Sequence, residues 1–267
     1  SISLGNTHQD GIISSTGMDR YNVKVSADTK LTNNWSSGFT ANYITTSIDK
    51  AVTSGNGLLR TVYAAPPSYD LAGIPSHVDG NPYTQNSFRG SFDNAYWAME
   101  NNKFTEDTNR FFGNVYASYQ TDFGTTNHKL NAKYMVGVDA YTTHYVDSYG
   151  YGSNTGGGRG QIENYGWTNA TYNSLLTINY DWHINEDWGL NAVVGNEIIQ
   201  SNRKKYYEYG TNYNFPGWNH INNATTQQTE EETWKNRTVG FFGNVSASYR
   251  NMLYLTLTGR QDYVSNM

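Results

Sequence analysis

The main pattern along the chain is a period-two alternation of apolar and polar residues. In the clearest run, 239–249, apolar side chains and glycine take the odd positions, and mostly small or polar ones take the even positions. Successive side chains of a strand point to opposite faces, so this pattern predicts strands with one apolar and one polar face. Nine such strands are predicted, near residues 1–8, 23–27, 39–43, 110–120, 130–141, 172–181, 190–199, 239–249 and 253–260.

The connections between these strands alternate between short and long. Short ones are predicted near 28–34, 121–127, 183–187 and 250–251, and long ones near 9–19, 48–109, 147–165 and 209–236. Short periplasmic turns and long extracellular loops are typical of transmembrane β-barrels. The predicted fold class is therefore all-β, a transmembrane antiparallel β-barrel segment whose apolar face meets lipid and whose polar face meets a wet lumen. In a soluble sandwich the same apolar face is a core, and loop lengths are expected to be more even.

Aromatic residues cluster beside the short connections. Trp35, Trp182 and Trp188 flank predicted turns, and Tyr119 and Tyr249 end strands just before turns. Barrels carry girdles of amphipathic rings at the membrane boundary, so this placement predicts such a girdle. The general preference of Tyr and Trp for strands is the alternative explanation.

Composition narrows the class further. Aromatic and charged residues each make up 15% of the 267 residues, the formal net charge is −5, and cysteine is absent. The mean hydropathy is −0.70 and the pI is near 5.6. The negative charge argues against a general nucleic-acid binder, and the lack of cysteine excludes disulfides and thiolate metal sites. No run of about 18 apolar residues predicts a transmembrane helix.

Few residues suggest covalent or metal chemistry. The glycine-rich segment 156–160 lacks the Gly-Lys-Ser/Thr ending of a phosphate-binding loop, and a loop tip is the favoured interpretation. His144 and Asp147 are close enough in sequence for a metal pair to be considered, but no third ligand has a suitable spacing, so an exposed histidine at a loop edge is the favoured interpretation. The run 230–232 is predicted to be a solvated loop, with a cation site as the alternative. No nucleophile motif is present, so neither an enzyme nor a cofactor is predicted.

The longest connection contains the candidate binding residues. Its segment 63–97 combines aromatic rings with amides and charges, a mixture suited to sugar rings and hydroxyls or to peptide backbones. The alternative is that these rings pack the loop onto itself. The predicted substrate-binding residues are Tyr69, Tyr83, Arg89, Asp93, Asn94, Tyr96 and Trp97.

The chain contains one repeated ten-residue segment and three sets of short motifs that are similar to those of a known family. Segments 111–120 and 241–250 match at eight of ten positions. Together with the motifs, the chain resembles SusC/RagA-type TonB-dependent outer-membrane transporters along nearly its whole length. The motifs are Ser3-Leu4-Gly5 with Asp10-Gly11-Ile12-Ile13 and Arg20-Tyr21-Asn22; Asn94-Ala95-Tyr96-Trp97 with Asn101-Asn102 and 109–114; and 253–262.

The resemblance implies a barrel of about 22 strands with a plugged lumen. Residues 1–267 are then expected to be a partial barrel domain, with the plug, the TonB box and the remaining strands outside this sequence. It further implies uptake of oligosaccharides or peptides, a SusD-like surface lipoprotein as a lid, and energy from TonB–ExbB–ExbD through the missing N-terminal part. The implied location is the outer membrane of a Gram-negative, Bacteroidetes-like cell.

Further residues take a role under this interpretation. The second long loop, with Tyr213, Phe215, Trp218 and Asn219, is expected to contact the lid or to stabilise itself. Inward side chains are expected to line the wall, to meet the plug or simply to be solvated: Asn114, Ser118, Asn131, Lys133, Asn179, Asn244, Ser246 and Thr256. Two alternatives stay open, a complete small outer-membrane barrel acting as channel or adhesin, and a soluble glycan-binding β-domain.

Overall fold

One antiparallel sheet of nine strands dominates the structure, a computed structural model that describes residues 1–52 and 57–266. Each strand of this sheet pairs with the next one in sequence, in the order β1-β2-β3-β6-β7-β8-β9-β10-β11. The strands are β1 (Ile2–Asp10), β2 (Gly17–Lys30), β3 (Trp35–Lys50), β6 (Lys103–Thr121), β7 (His128–Tyr149), β8 (Gln161–His183), β9 (Trp188–Tyr213), β10 (Ala224–Tyr249) and β11 (Leu253–Asn266). The nine predicted strands are confirmed.

Smaller elements occupy the long connection between β3 and β6. They are α1 (Leu59–Ala64), the two-stranded pair β4 (His77–Val78) and β5 (Asn81–Gln85), and α2 (Ala95–Asn101). A short 3₁₀ turn, Ile221–Asn223, precedes β10. Residues 53–56 of the predicted long connection, and the final residue Met267, lie outside the described residues. No helix in the described ranges is long and apolar enough to cross a membrane.

The register keeps the predicted faces aligned from strand to strand. Val245 of β10 pairs with Ala192 of β9 and with Leu257 of β11, all apolar positions. Ser246, one residue on, pairs with Asn191 and Thr256. The first set defines the apolar face of the sheet, and the second set defines its polar face. The predicted inward residues Asn244 and Ser246 join Thr256 and Thr258 in hydrogen bonds on the polar face.

Rings border the apolar face at both ends. Next to the short turns, Trp35 contacts Tyr119 at 5.0 Å and Trp188 contacts Tyr249 at 4.7 Å between ring centroids. Trp182 lies next to the short turn that follows β8, and Tyr172 lies ten residues away on the same strand and the same face. At about 3.4 Å per residue and a tilt of about 40°, those ten residues span about 26 Å, close to the roughly 25 Å apolar band of known barrels.

The strands extend well past this apolar band, which corrects the predicted loops. β9 and β10 have 26 residues each, whereas about 9–11 residues cross a bilayer. The connections predicted near 9–19, 147–165 and 209–236 shrink to residues 11–16, 150–160 and 214–223. Apolar alternation stops at the edge of the band, but the backbone ladder continues through segments that are polar on both faces.

Candidate substrate-binding face

A row of large side chains crosses the polar face beyond the apolar band. Trp234, Arg203, Asn169, Tyr141 and Arg110 occupy one register on β10, β9, β8, β7 and β6. The Arg203 guanidinium carbon lies 5.1 Å from the ring centre of Trp167 and 5.5 Å from that of Trp234. An arginine over an indole face is a favourable cation–π contact. Arg203 therefore joins two tryptophans of separate strands into one surface.

Arg110 forms a second cationic centre in this row. Its Nη2 lies 2.5 Å from Asp139 Oδ2 and its Nε lies 2.8 Å from Asp139 Oδ1, a bidentate pair. Its guanidinium also lies 5.0 Å from the Phe112 ring centre and 5.8 Å from that of Tyr141. Bidentate arginine–carboxylate pairs fix the orientation of both groups. The pair therefore fixes the Arg110 guanidinium within reach of both rings.

Tyrosines stack in the adjoining part of the same face. The ring centres of Tyr145 and Tyr165 are 4.8 Å apart and nearly parallel, and Tyr207 lies 6.3 Å from Tyr165. The Tyr165 hydroxyl donates to Asp147 Oδ2 at 3.0 Å. Partial burial and the nearby Asp147 carboxylate raise the pKa of Tyr165 well above its usual range. Tyr165 therefore stays a neutral donor at physiological pH.

These side chains form a surface that we call the aromatic wall, defined by Arg110, Tyr141, Tyr145, Trp167, Arg203 and Trp234. Arg203 and Trp234 are exposed, and Tyr145 and Trp167 are half-buried, so the ring faces are accessible. Exposed rings stack on the apolar faces of sugars or side chains, and the Arg203 guanidinium attracts carboxylates and carbonyl oxygens, whereas the charge of Arg110 is balanced by Asp139. The chemistry available on the aromatic wall is non-covalent binding.

The aromatic wall lies outside the residues predicted from the sequence to bind substrate. Trp234 and Arg203 fall outside the predicted strands, where no facing residue could be assigned. The signal that could have found them is the same period-two parity continued past the apolar band. Trp234 is an even number of residues from Ser246 on β10, and Trp167 is an even number of residues from Asn179 on β8. Both tryptophans therefore fall on the polar face.

Three of the seven predicted binding residues lie inside the folded loop. Trp97 is fully buried and its Nε1 donates to the Pro82 carbonyl at 2.9 Å. Asn94 caps α2, because its Oδ1 accepts from the backbone N–H groups of Tyr96 and Trp97 at 3.0 and 3.3 Å. Such caps satisfy backbone donors that a helix leaves free. Asn94 and Trp97 therefore hold the loop in shape.

Asp93 joins two loops. Its carboxylate accepts from Gln85 Nε2 at 2.8 Å, from Ser153 Oγ at 2.6 Å and from the Asn154 backbone N–H at 2.6 Å. Ser153 and Asn154 belong to the connection between β7 and β8, far away in sequence. The buried carboxylate thus accepts hydrogen bonds from both the β3–β6 and the β7–β8 connections and links them.

The other four predicted residues reach the surface of the loop. Arg89 and Tyr96 are exposed, and Tyr69 and Tyr83 are half-buried. Arg89 lies over the Phe88 ring at 5.0 Å, and Tyr69 contacts the same ring edge-on at 4.8 Å. The structure thus divides the predicted set into an interior group and a surface group.

The second loop, 214–223, presents a stack of three rings. Trp218 lies 5.8 Å from Phe215 and 4.9 Å from His220, with the planes nearly parallel. Asn219 Nδ2 donates to the Asn101 carbonyl at 2.9 Å, which ties this loop to the end of α2. Tyr213, at the base of the loop, is fully buried. Phe215 and Trp218 stay exposed at 50% and 44%.

The suggested metal pair is wrong, because its two members lie on opposite faces of β7. His144 stacks on Tyr206 and is hydrogen-bonded to its hydroxyl on one face, whereas Asp147 accepts from Tyr165 on the other. Within the described ranges no group of three or more His, Asp or Glu side chains is placed to hold a metal ion.

The acidic run and the glycine-rich segment also have structural roles. Glu231 pairs with Lys204 at 3.0 Å, and Glu232 pairs with Lys205 at 3.5 Å on the opposite face. The run is therefore part of β10, which corrects the predicted solvated loop. Gly160 has φ +77, and a Cβ there would lie 2.5 Å from the Tyr213 ring. The chain thus needs glycine where the β7–β8 connection passes over Tyr213.

Comparison with known proteins places this sheet in a known architecture. No protein-family model and no curated protein matches the sequence. Solved structures do match: the RagAB peptide transporter at TM-score 0.76 and 15% identity, over 98% of this chain and 30% of that chain, and the RagAB peptide importer in its open-open state at 0.75 and 14%, over 99% and 29%. BauA, the ferric preacinetobactin receptor of Acinetobacter baumannii, matches at 0.52 and 13%, over 98% and 36%.

The sheet has the fold of part of a TonB-dependent receptor barrel. The chain spans about 30% of the length of the RagAB structures. The expected resemblance to RagA is confirmed as a likeness of fold. In this architecture the polar face is the lumen face, so the aromatic wall faces the lumen on the side of the long connections.

Proposed function

We propose that this chain is part of a SusC/RagA-type TonB-dependent outer-membrane transporter that captures oligosaccharides or peptides. The aromatic wall is the observation that carries this proposal. Its rings and guanidinium groups lie on the lumen face, where an entering nutrient must pass. No covalent step is needed, and the matched solved proteins are importers and receptors.

The proposed location is the outer membrane of a Gram-negative, Bacteroidetes-like cell. The apolar face with rings at both borders supports it, because its height matches a bilayer core. A lipid-facing position also explains why many large apolar side chains, such as Phe241 and Val245, are exposed in the isolated sheet. A soluble glycan-binding domain would have to cover this face.

The proposed substrate is a peptide or an oligosaccharide, and the likeness to a peptide importer favours peptides. Four surface residues of the folded loop are proposed as further contacts: Tyr69, Tyr83, Arg89 and Tyr96. Asp93, Asn94 and Trp97 would act indirectly, by holding these residues in place.

The proposed partners are a SusD-like surface lipoprotein and the TonB–ExbB–ExbD complex. The matched structure is that of the RagAB peptide importer, and the likeness to it supports a partner of this kind. The exposed ring stack of Phe215 and Trp218 has the composition of a protein-contact surface, since aromatic residues are enriched at the centre of such interfaces. TonB–ExbB–ExbD would act through parts of the protein outside this sequence.

The test uses the full-length transporter in its native outer membrane. Trp167→Ala combined with Trp234→Ala removes the two rings around Arg203. We expect binding of a peptide mixture or an oligosaccharide mixture, each assayed separately, to weaken about tenfold or more, as when a binding hot spot is lost. Trp182→Ala is the matched control, because Trp182 lies on β8 like Trp167 but on the apolar face. Unchanged binding of both mixtures in the double variant would contradict the proposal.

A further inference from the structure

A groove interrupts the apolar face between β7, β8, β9 and β10. It is an open depression of about 450 Å³, and its lining includes Tyr134, Val136, Ser174, Ile198 and Val239. Ser174 is the small residue of its row, between Val136 and Ile198. Its hydroxyl donates to the Tyr134 hydroxyl at 3.2 Å, so the floor between Val136 and Ile198 offers apolar contacts. A groove of this shape on a lipid-facing surface suits an acyl chain.

The rim of the groove on the long-connection side is cationic and polar. Arg237 donates from Nε to Gln200 Oε1 at 3.0 Å, and Tyr172 completes the rim. Lys235 lies two residues further on the same face and is exposed. The facing residues of Arg237 and Lys235 are Gln200, Ser265 and Asn202, none of them acidic. In the described part of the chain, neither cation has a salt bridge.

Arg237 lies just beyond the outer border of the apolar band. Twelve residues separate it from Tyr249 beside the short turns. At about 3.4 Å per residue and a tilt of about 40°, they rise about 31 Å, roughly the hydrocarbon thickness of a bilayer. Cationic side chains at this level reach the headgroups. Arg237 and Lys235 thus stand where lipid phosphates are found.

We propose that this groove and its rim bind a phosphorylated glycolipid of the outer leaflet. An acyl chain lies along Val136, Ile198 and Val239, and the phosphate contacts Arg237 and Lys235. The amides of Gln200 and Asn202 contact sugar hydroxyls. This inference rests on the proposed membrane location. The glycolipid is favoured over a phospholipid because the rim lies on the long-connection side, which is the outer leaflet, and because amides next to cations match phosphorylated sugars.

The first experiment measures lipid that copurifies with the full-length protein. The protein is extracted from its outer membrane in mild detergent, and bound lipids are quantified by mass spectrometry. The double variant Arg237→Gln/Lys235→Gln is expected to retain about tenfold less phosphorylated glycolipid, as two charge-assisted contacts are lost. Lys204→Gln is the matched control: Lys204 points to the same face but lies beyond the band and is paired with Glu231. Equal retention in the double variant would overturn the inference.

A second variant tests the groove without changing charge. Ser174→Leu fills the floor between Val136 and Ile198, and reduced glycolipid retention is expected there too. The electrophoretic mobility of unheated and heated samples is compared for each variant, and a difference between the two confirms that the variant remains folded. Delipidated protein is then mixed with purified lipid A, with phosphatase-treated lipid A and with phosphatidylethanolamine, and complexes are counted by native mass spectrometry. Preference for the untreated lipid A is expected; equal binding of all three, or preference for phosphatidylethanolamine, would overturn the inference.

These outcomes separate this inference from the proposed function. Absence of the full-length protein from the outer membrane would contradict the proposed function itself. Presence there with unchanged lipid retention would contradict only the lipid site. Substrate binding at the aromatic wall is expected to be unaffected by Arg237→Gln, because the two residue sets lie on opposite faces of the sheet.

Discussion

At the scale of single residues, Tyr213 shows how the long-connection end of the sheet is held together. It is fully buried with Ile162 and Ala224, and Val146, Tyr151 and Ile221 pack around them. Its hydroxyl has no hydrogen-bond partner in the described part of the chain. A buried hydroxyl without a partner costs free energy, whereas the ring contributes by packing. Ring and hydroxyl of Tyr213 therefore act in opposite directions.

Tyr213→Phe is expected to leave the free energy of unfolding of this region unchanged or raise it by up to about 1 kcal/mol. Tyr213→Ala is expected to lower it by about 3 kcal/mol or more, because a large buried ring is replaced by a cavity. Hydrogen exchange of the strand tips in the full-length protein measures both changes. Marked loss of protection in Tyr213→Phe would show that the hydroxyl is needed.

Alkaline pH gives a second test of the same residue. Burial raises the pKa of Tyr213 above that of an unfolded tyrosine, so the folded state keeps this proton more tightly. Below about pH 10 Tyr213 is protonated in both states, so the free energy of unfolding does not depend on its pKa. Above that value the unfolded chain loses the proton first, and the free energy of unfolding declines as the pH rises. Local stability near Tyr213 should therefore fall above pH 10 in the wild type, and less so in Tyr213→Phe. Equal pH profiles would contradict this assignment.

Gly160 illustrates a position fixed by both conformation and space. Gly160→Ala is expected to destabilise the β7–β8 connection by about 2 kcal/mol or more, because a positive φ and a collision with Tyr213 add up. Gly157→Ala is the matched control, since Gly157 has φ +67 but nothing within 4 Å of its would-be Cβ. Rates of limited proteolysis in this connection compare the two variants. A larger effect at Gly157 would contradict the packing argument.

At the scale of elements, the long strands such as β9 and β10 have two different halves. Near the short turns, one face is apolar and the other polar, so alternation identifies the strand. Beyond the apolar band, both faces are polar, and pairs such as Lys204 with Glu231 and Lys205 with Glu232 accompany the ladder. Opposite charges on neighbouring strands stabilise pairing without apolar burial.

These two halves explain what the sequence could predict. Nine strands, and the residues that share each of their faces, follow from alternation within the apolar band. The extensions 201–213 and 224–236 could not be recognised from alternation, because rings and charges occur on both faces there and leave no regular apolar–polar period. The aromatic wall was missed for the same reason, since Trp234 and Arg203 meet only through the register of these extensions. Composition located the candidate loop, but could not tell buried Trp97 from exposed Tyr96.

The two faces of β10 predict opposite tolerance to charge. Val245→Lys puts a cation on the apolar face within the band, which is expected to cost about 2–4 kcal/mol of the free energy of folding into a bilayer. Ser246→Lys, one residue further, places the same charge on the polar face and is expected to cost much less. Denaturant titration of the full-length barrel in lipid vesicles compares the two. Equal destabilisation would contradict the assignment of the faces.

At the scale of the whole molecule, the sheet needs more than its own strands to be stable in a membrane. Among the described residues, β1 and β11 each pair with a neighbour along one edge only. Unpaired backbone groups are not tolerated in lipid, so spanning sheets close into barrels. This chain matches about 30% of the length of the RagAB structures, so further strands would close the sheet in the proposed transporter. The tips of the long strands then surround the entrance to the lumen.

The ring stack at this entrance is where the proposed lid is expected to bind. Trp218 is 44% exposed and stacked between Phe215 and His220, so its removal takes away contact area while Asn219 still anchors the loop to α2. Trp218→Ala in the full-length transporter is expected to weaken the complex with its lipoprotein partner about tenfold, as loss of an interface tryptophan does. Copurification from detergent extracts measures this.

A matched variant keeps that experiment specific. Trp188→Ala removes a tryptophan of similar exposure from the border of the apolar face beside the short turns, at the opposite end of the strands. It is expected to lower the abundance of the barrel but to leave the ratio of partner to transporter unchanged. A partner bound through the ring stack must respond to Trp218→Ala and be indifferent to Trp188→Ala. If both variants reduced the ratio equally, the loss would reflect barrel stability, and the lid would have to contact another part of the entrance.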